Sequence, residues 1–330
     1  MSELSLEKQV FDIQNELDFE NAALAVFKFQ AAKNIVYRRY LELLKIDVLS
    51  IKKSVDIPFL PISFFKQFKV ISGNFEPSVI FTSSGTTGQS NSSHFVKSEQ
   101  LYVQSFLQSF RTFYGNEKDY TFVCLLPSYL DRQGSSLIYM MDYLVKSSQK
   151  PASGFYPKIN KEFIALLNQL QEKKTEKVFF IGVTFALLDL AEHYPSDLSH
   201  FILMETGGMK GRRKEITRLE LYDILKKNLN AREIHSEYGM TELLSQAYSK
   251  EKGQFFCPNH MKVYIRDLND PFTMLPEGKT GVINVIDLAN LYSCSFIATQ
   301  DAGKIASNGS FEVLGRVDHS DIRGCNLLMS

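Results

Sequence analysis

VFFIGV, residues 178–183, is a short apolar run without a charge, and it is one of a set. SVIFT (78–82), TFVCLL (121–126), FILM (201–204) and VINVIDL (282–288) share its character. Near-continuous apolarity over four to seven residues suits strands that are covered on both faces. Helical stretches at 161–172 and 212–228 lie between several of these runs. Strands that alternate with helices predict an α/β fold with mostly parallel sheets flanked by helices.

Working outward, the first forty-odd residues read as helical. Leu24, Phe27, Ala31 and Ile35 fall on one face, and Val36, Tyr40 and Leu44 continue it. In IPFLPISFFKQFKV, which follows, Pro58 and Pro61 forbid a regular helix and favour an extended, partly buried segment. Beyond about residue 250 the chain is richer in Gly, Asn and Asp, which predicts a smaller β-rich sub-domain.

Bulk properties narrow the function. The 330 residues are 44% hydrophobic and 22% charged, an ordinary globular balance. Thirty-seven basic and thirty-seven acidic residues cancel. No global field therefore gathers nucleic acid, and no motif supports that role. No apolar run approaches the roughly 20 residues of a membrane span, and MSELSLEKQVFDIQNELD lacks the core of a secretory signal. The four cysteines, Cys124, Cys257, Cys294 and Cys325, are scattered without a CxxC pair. That pattern suits a reducing, cytoplasmic setting.

Four motifs carry chemistry. Thr82-Ser83-Ser84-Gly85-Thr86-Thr87-Gly88 follows a predicted strand. Its glycines permit a tight turn, and its hydroxyls and N–H groups can ring a phosphate. No GK[ST] follows, so it is not a Walker A loop, and a polar surface turn has the same composition. Ser236-Glu237-Tyr238-Gly239-Met240-Thr241-Glu242 combines an aromatic ring for a base, a glycine, a hydroxyl for phosphate and a carboxylate for Mg²⁺. The same residues would also start a helix at Thr241. Gly207-Gly208-Met209-Lys210-Gly211-Arg212-Arg213-Lys214 can pass close to a flat ring and meet polyphosphate, or simply open a solvated basic helix. Asp301, expected just after a strand, can accept two ribose hydroxyls or serve a turn. Gly315-Arg316-Val317-Asp318 and Ile322-Arg323-Gly324-Cys325 follow it.

In this order the four patterns resemble the adenylate-forming superfamily of acyl-CoA synthetases, luciferases and adenylation domains. The closer resemblance is to LuxE-type acyl-protein synthetases. It is carried by IPFLPISFFK, SSGTTG, ETGGMKGR, SEYGMTE and GRVDHSDIRGC, from about residue 20 to the C-terminus. It implies an adenylate-forming core over 1–315, with a helical segment 1–50 and a β-rich part from about 250. It also implies a hinge and tail at 316–330 in place of a full C-terminal lid. The chain departs from the superfamily in two ways. The phosphate loop continues Gln89-Ser90-Asn91 rather than Pro-Lys, and twelve residues follow Asp318, from which the lid domain with its lysine is expected to be mostly absent.

The function implied is ATP-dependent conversion of a fatty or other carboxylic acid to acyl-AMP, with transfer to a cysteine thiol. Ser83, Ser84, Gly85, Thr86, Thr87, Gly88, Gly207, Gly208, Glu237, Tyr238, Gly239, Asp301 and Arg316 would bind ATP. Thr241 and Glu242 would be catalytic, with Mg²⁺ on Glu242. A basic residue, Lys210, Arg212 or Arg213, would stand in for the missing lysine, and Cys325 would receive the acyl group. Arg323 would favour its thiolate. An acyl reductase or a carrier protein is the implied partner. Two other readings stay open: an acyl-CoA or acyl-carrier ligase, and a non-catalytic acyl-nucleotide-binding subunit. Minor candidates are His94, expected on an exposed loop, His235, expected toward an acyl pocket, and Cys257 with His260 as half of a metal site.

Overall fold

The computed structural model describes residues 3–83, 91–127, 134–208, 213–214 and 216–317. The chain divides into two compact units. The first is Met1–Phe106, Gly239–Gln246 and Phe256–Ser330; the second is Leu107–Tyr238 and Ala247–Phe255.

In the first unit, helices Glu3–Phe11, Glu16–Lys33 and Ile35–Leu43 open the chain. The apolar face expected to run through Ile35 stops at Asn34, and Ile35 is 71% exposed. The reason is a cap. Asn34 is extended and its side chain accepts from Tyr37 N, so it ends one helix and starts the next. Leu60–Pro61 is extended as Pro58 and Pro61 require, and it pairs parallel with Ile297–Ala298. A single helical turn, Phe64–Gln67, follows. Val79–Thr82 forms an antiparallel hairpin with Ser93–Val96. Ile80 is 41% exposed, so SVIFT is covered on one face rather than two.

The β-rich part is a four-stranded antiparallel sheet: Met261–Arg266, Gly281–Asp287, Phe296–Ile305 and Phe311–Arg316. Gly281 is obligatory there, because a Cβ would lie 2.2 Å from the carbonyl oxygen of Arg266. Phe27 meets Phe296 edge-on, and Tyr37 stacks on Phe296. Each such buried ring contributes roughly 2 kcal/mol of burial.

The second unit holds the parallel sheet, in the order Gly154–Phe155, Tyr120–Leu125, Lys177–Val183, Ile202–Thr206 and Ile234–Tyr238. Ala247–Ser249 adds antiparallel to Ile234–Tyr238. Strand Ile234–Tyr238 (IHSEY) is too polar to announce itself in the sequence. Helices Ser136–Ser148, Lys161–Glu172, Thr184–His193 and Arg218–Leu229 connect the strands. The last begins later than the expected residue 212, because Thr217 and Glu220 form a reciprocal capping box at its start.

Candidate active site

The foot of the Ser/Thr/Gly loop is built in the first unit. Ser83 N donates to Ser92 O at 3.0 Å, and Ser92 N donates to Ser83 Oγ at 2.8 Å. These two bonds clamp the hairpin where the loop leaves it. Ser84, Gly85, Thr86, Thr87 and Gly88 lie outside the described residues.

Glu242 sits at that clamp. It is 5% exposed, and its carboxylate is hydrogen-bonded to Ser92. Burial raises its pKa; the Ser92 bond and the charges of Arg316 and Lys66 pull the other way. No helix begins at Thr241: Gly239–Gln246 is turn and coil. The stretch is held by side chains from elsewhere in the sequence. His94 Nδ1 donates to the Thr241 carbonyl oxygen at 2.8 Å, and Asn290 Nδ2 donates to the Glu242 carbonyl oxygen at 2.7 Å. Asp287 Oδ2 accepts from Leu244 N at 2.8 Å and Ser245 N at 3.0 Å, while its Oδ1 accepts from Ser245 Oγ.

His94 is therefore a buried strand residue, not an exposed loop residue. Its ring is 1% exposed, and desolvation lowers its pKa to about 4. No sequence signal pointed to Asp287 or Asn290, whose bonds to Leu244, Ser245 and the Glu242 carbonyl oxygen span more than forty residues.

Asp301 lies inside strand Phe296–Ile305 rather than after it, directly opposite Arg316. Arg316 Nε is 3.7 Å from Asp301 Oδ1, and the arginine side chain is 86% exposed against 16% for the aspartate. A pair this long and exposed is worth at most about 1 kcal/mol. The first unit thus gathers Ser83, Ser92, Thr241, Glu242, Asp301 and Arg316.

Among the described residues, four predicted ones belong to the second unit. Gly207, at φ +72°, and Gly208 follow strand Ile202–Thr206, and Thr184 Oγ1 donates to the Gly207 carbonyl oxygen at 3.2 Å. A Cβ on Gly208 would meet no described atom within 4 Å. Tyr238 is 8% exposed and meets Phe255 edge-on, 6.0 Å between centroids. Glu237 accepts from Thr206 Oγ1 at 2.7 Å, and burial lifts its pKa to about 7. Beside it, buried Glu205 accepts from Thr184 Oγ1 and Ser236 Oγ, and burial raises its pKa too. Arg213 of the basic run is engaged, with Asp189 and Glu192. Lys210 and Arg212 lie outside the described residues, as do Asp318, Arg323, Gly324 and Cys325.

The minor candidates resolve differently. His235 Nδ1 is 3.1 Å from Tyr114 Oη, packed among aromatic rings. His260 Nε2 is 3.3 Å from Ser105 Oγ. Among the described residues no three His, Cys, Asp or Glu side chains are grouped to hold a metal, so Cys257 and His260 gain no further ligands. Burial pushes the Cys257 thiol up to about 12. No described helix is long and apolar enough to cross a membrane.

No protein-family profile and no curated protein sequence matches the chain. Solved structures do. ATP-bound MatB from Rhodopseudomonas palustris superposes with a TM-score of 0.52 at 16% identity, over 76% of this chain and 50% of that one. A 2-hydroxyisobutyryl-CoA ligase in its postadenylation state, in complex with R3-HIB-AMP, gives 0.64 at 12% identity, over 93% and 70%. The same ligase in an open conformation with 2-HIB-AMP and CoA gives 0.62 at 13%, over 97% and 82%. The chain spans about half the length of the MatB structures it matches. At these identities the likeness is one of architecture: the chain has the adenylate-forming fold, a large sheet flanked by helices with a β-rich part.

Proposed function

We propose that the protein activates a carboxylic acid with ATP and passes the acyl group to a thiol. The observation that carries this reading is the buried Glu242 carboxylate hydrogen-bonded to Ser92 at the foot of the Ser/Thr/Gly loop, with Asp301 and Arg316 in the same unit. Burial leaves Glu242 short of compensating charge, and a divalent cation would supply it. Glu242 fits Mg²⁺ in that respect, and the cation would neutralise charge on the ATP phosphates.

In the first half-reaction a substrate carboxylate oxygen attacks the α-phosphorus, the bond to the bridging oxygen breaks, and pyrophosphate leaves. Such displacement is mostly positioning and charge stabilisation. Asp301 would accept the ribose hydroxyls with Arg316 beside it, and Ser83 with the loop it clamps would hold phosphate. Gly207, Gly208, Glu237, Tyr238 and Gly239 keep the nucleotide-contact roles that the resemblance gives them, and Thr241 its catalytic one. Lys210 is assigned the cationic role.

In the second half-reaction a thiolate attacks the mixed-anhydride carbonyl, AMP leaves and a thioester forms. Cys325 is the proposed thiol, and a fatty acid, delivered onward to an acyl reductase or carrier protein, the proposed cargo.

The test is intact mass after incubation with ATP, Mg²⁺ and a panel of carboxylic acids, without CoA. A hydroxylamine-labile acyl mass that vanishes in Cys325→Ala, while ATP–pyrophosphate exchange persists, is the expected result. AMP release with an unmodified mass transfers the acceptor to CoA or a carrier. Neither acyl mass nor AMP leaves a nucleotide-binding subunit. Glu242→Gln should lower exchange by about 10²-fold or more.

A further inference from the structure

Arg266, at the end of strand Met261–Arg266, makes an unusual set of bonds for a half-buried guanidinium. Its Nη1 donates to the Ile283 carbonyl oxygen at 3.1 Å and to Asn284 Oδ1 at 2.5 Å, and its Nη2 donates to the Thr299 carbonyl oxygen at 2.6 Å. All three acceptors are neutral. Among the described residues no carboxylate lies within 4 Å of it. A guanidinium has five N–H donors, so these bonds leave two for another acceptor. Desolvation draws its pKa down to about 10, the direction expected of a cation short of a counter-charge. Partial burial of an unpaired charge is costly and is normally offset by a partner.

Arg266 also lines a cavity of about 730 Å³ within the first unit, well inside the size range of small-molecule sites. The rest of the wall is largely apolar, with Ile57, Phe59, Phe272, Met274 and Val282 among its members. Asp56 and Asp267 also border it, more than 4 Å from the guanidinium.

We propose that this cavity binds a monocarboxylate with an apolar body, its carboxylate on the free N–H groups of Arg266 and its body along the Phe59–Met274 wall. The geometry favours a single planar anion: an arginine fork takes a carboxylate in two parallel bonds. Polyphosphates and other multiply charged anions are disfavoured, because one cation faces two aspartates here. Gln300 and Val317 of its wall adjoin Asp301 and Arg316, but the proposal does not rest on the adenylation reading. The site uses none of the residues assigned to ATP, and its occupancy is read without nucleotide.

The experiment is calorimetric titration of the full chain, without ATP or Mg²⁺, with three ten-carbon probes: decanoate, decanol and decyltrimethylammonium. Decanoate should bind about 10-fold or more tighter than decanol, and the cation weakest. Arg266→Gln should erase the preference for decanoate over decanol, while ATP–pyrophosphate exchange stays at the level of the unmodified chain. Phe272, 56% exposed, can be changed without opening the core, so Phe272→Ser should weaken decanoate and decanol alike even if Arg266→Gln folds poorly. Glu242→Gln should leave decanoate binding untouched. Equal affinity for decanoate and decanol, or undiminished decanoate binding in Arg266→Gln and Phe272→Ser together, overturns the proposal. So does decanoate binding that is lost in Glu242→Gln, since the acid would then occupy the adenylation site. Absence of exchange in the unmodified chain would instead defeat the adenylation reading and leave this one standing.

Discussion

His94 Nδ1 lies 2.8 Å from the carbonyl oxygen of Thr241, so a histidine 147 positions away fixes the turn that carries Glu242. A carbonyl only accepts, which assigns a proton to Nδ1; burial, acting against the upward pull of that bond, keeps the ring neutral. His260 in the same unit is likewise buried, and desolvation lowers both to about 4 from an ordinary 6.5. Stability from groups held neutral in this way is fully present above pH 6.5 and is lost as pH falls toward 4. Urea midpoints should therefore drop across that window. Each histidine contributes a slope of up to about 1.4 kcal/mol per pH unit. A flat midpoint from pH 7 to 4.5 would sink the assignment, and His94→Gln should reduce the slope.

Glu237 in the second unit has the opposite sign. Its folded pKa of about 7 exceeds the ordinary 4.5, so its contribution is fully present below pH 4.5 and lost as pH rises through 7. Glu237→Gln should raise stability at pH 8 by roughly 1–3 kcal/mol, with the gain vanishing near pH 4.5. Paired melting curves of the two proteins at the two pH values check it. A gain of equal size at both would show that charge burial is not its origin.

Asp287 anchors Leu244 and Ser245 by their backbone N–H groups. Asp287→Ala strands those donors in a buried setting and should cost about 2–5 kcal/mol. Asp287→Asn, which retains one acceptor oxygen, should cost less. If the two variants unfold at the same denaturant concentration, the anchoring role is wrong.

The two glycines after strand Ile202–Thr206 should separate folding from binding. Gly207 has φ +72°, so valine there is strained and should destabilise by about 1–2 kcal/mol or more. Gly208 has open space around its missing Cβ. Gly208→Val should keep its melting temperature within a degree or two and, on the proposed adenine contact, lose ATP affinity by about 10-fold or more. Unchanged nucleotide binding in Gly208→Val would remove that contact from the proposal.

Where a residue's environment is set by its neighbours in sequence, the chain was readable. TFVCLL and VFFIGV are strands because every side chain in them is apolar or small, and the second unit covers both faces of that sheet. SSGTTG and EYGMTE stand out in the sequence because glycine, hydroxyl and carboxylate lie side by side; Ser84 to Gly88 lie outside the described residues, and no helix starts at Thr241. His94, Asp287, Asn290 and Arg266 were not legible. Each is an ordinary residue on a β-strand or beside one, and its meaning comes from partners that only the sheet registers bring near. IHSEY was missed as a strand for the same reason: its polar residues are satisfied by Thr206, Tyr222 and Glu205, none of which is local.

The buried side chain of Gln30 carries one further consequence. Its Nε2 donates to the carbonyl oxygens of Asn290 and Leu291, and its Oε1 accepts from Ser295 N. The opening helices of the chain are thus completed by residues some 260 positions later. During vectorial synthesis on the ribosome, the second unit has all of its own residues by Phe255 and can fold first. The first unit must wait, with Phe27 and Tyr37 still lacking Phe296, until the strand that carries Phe296 has emerged. That interval is when the nascent protein is most dependent on chaperones and most easily degraded.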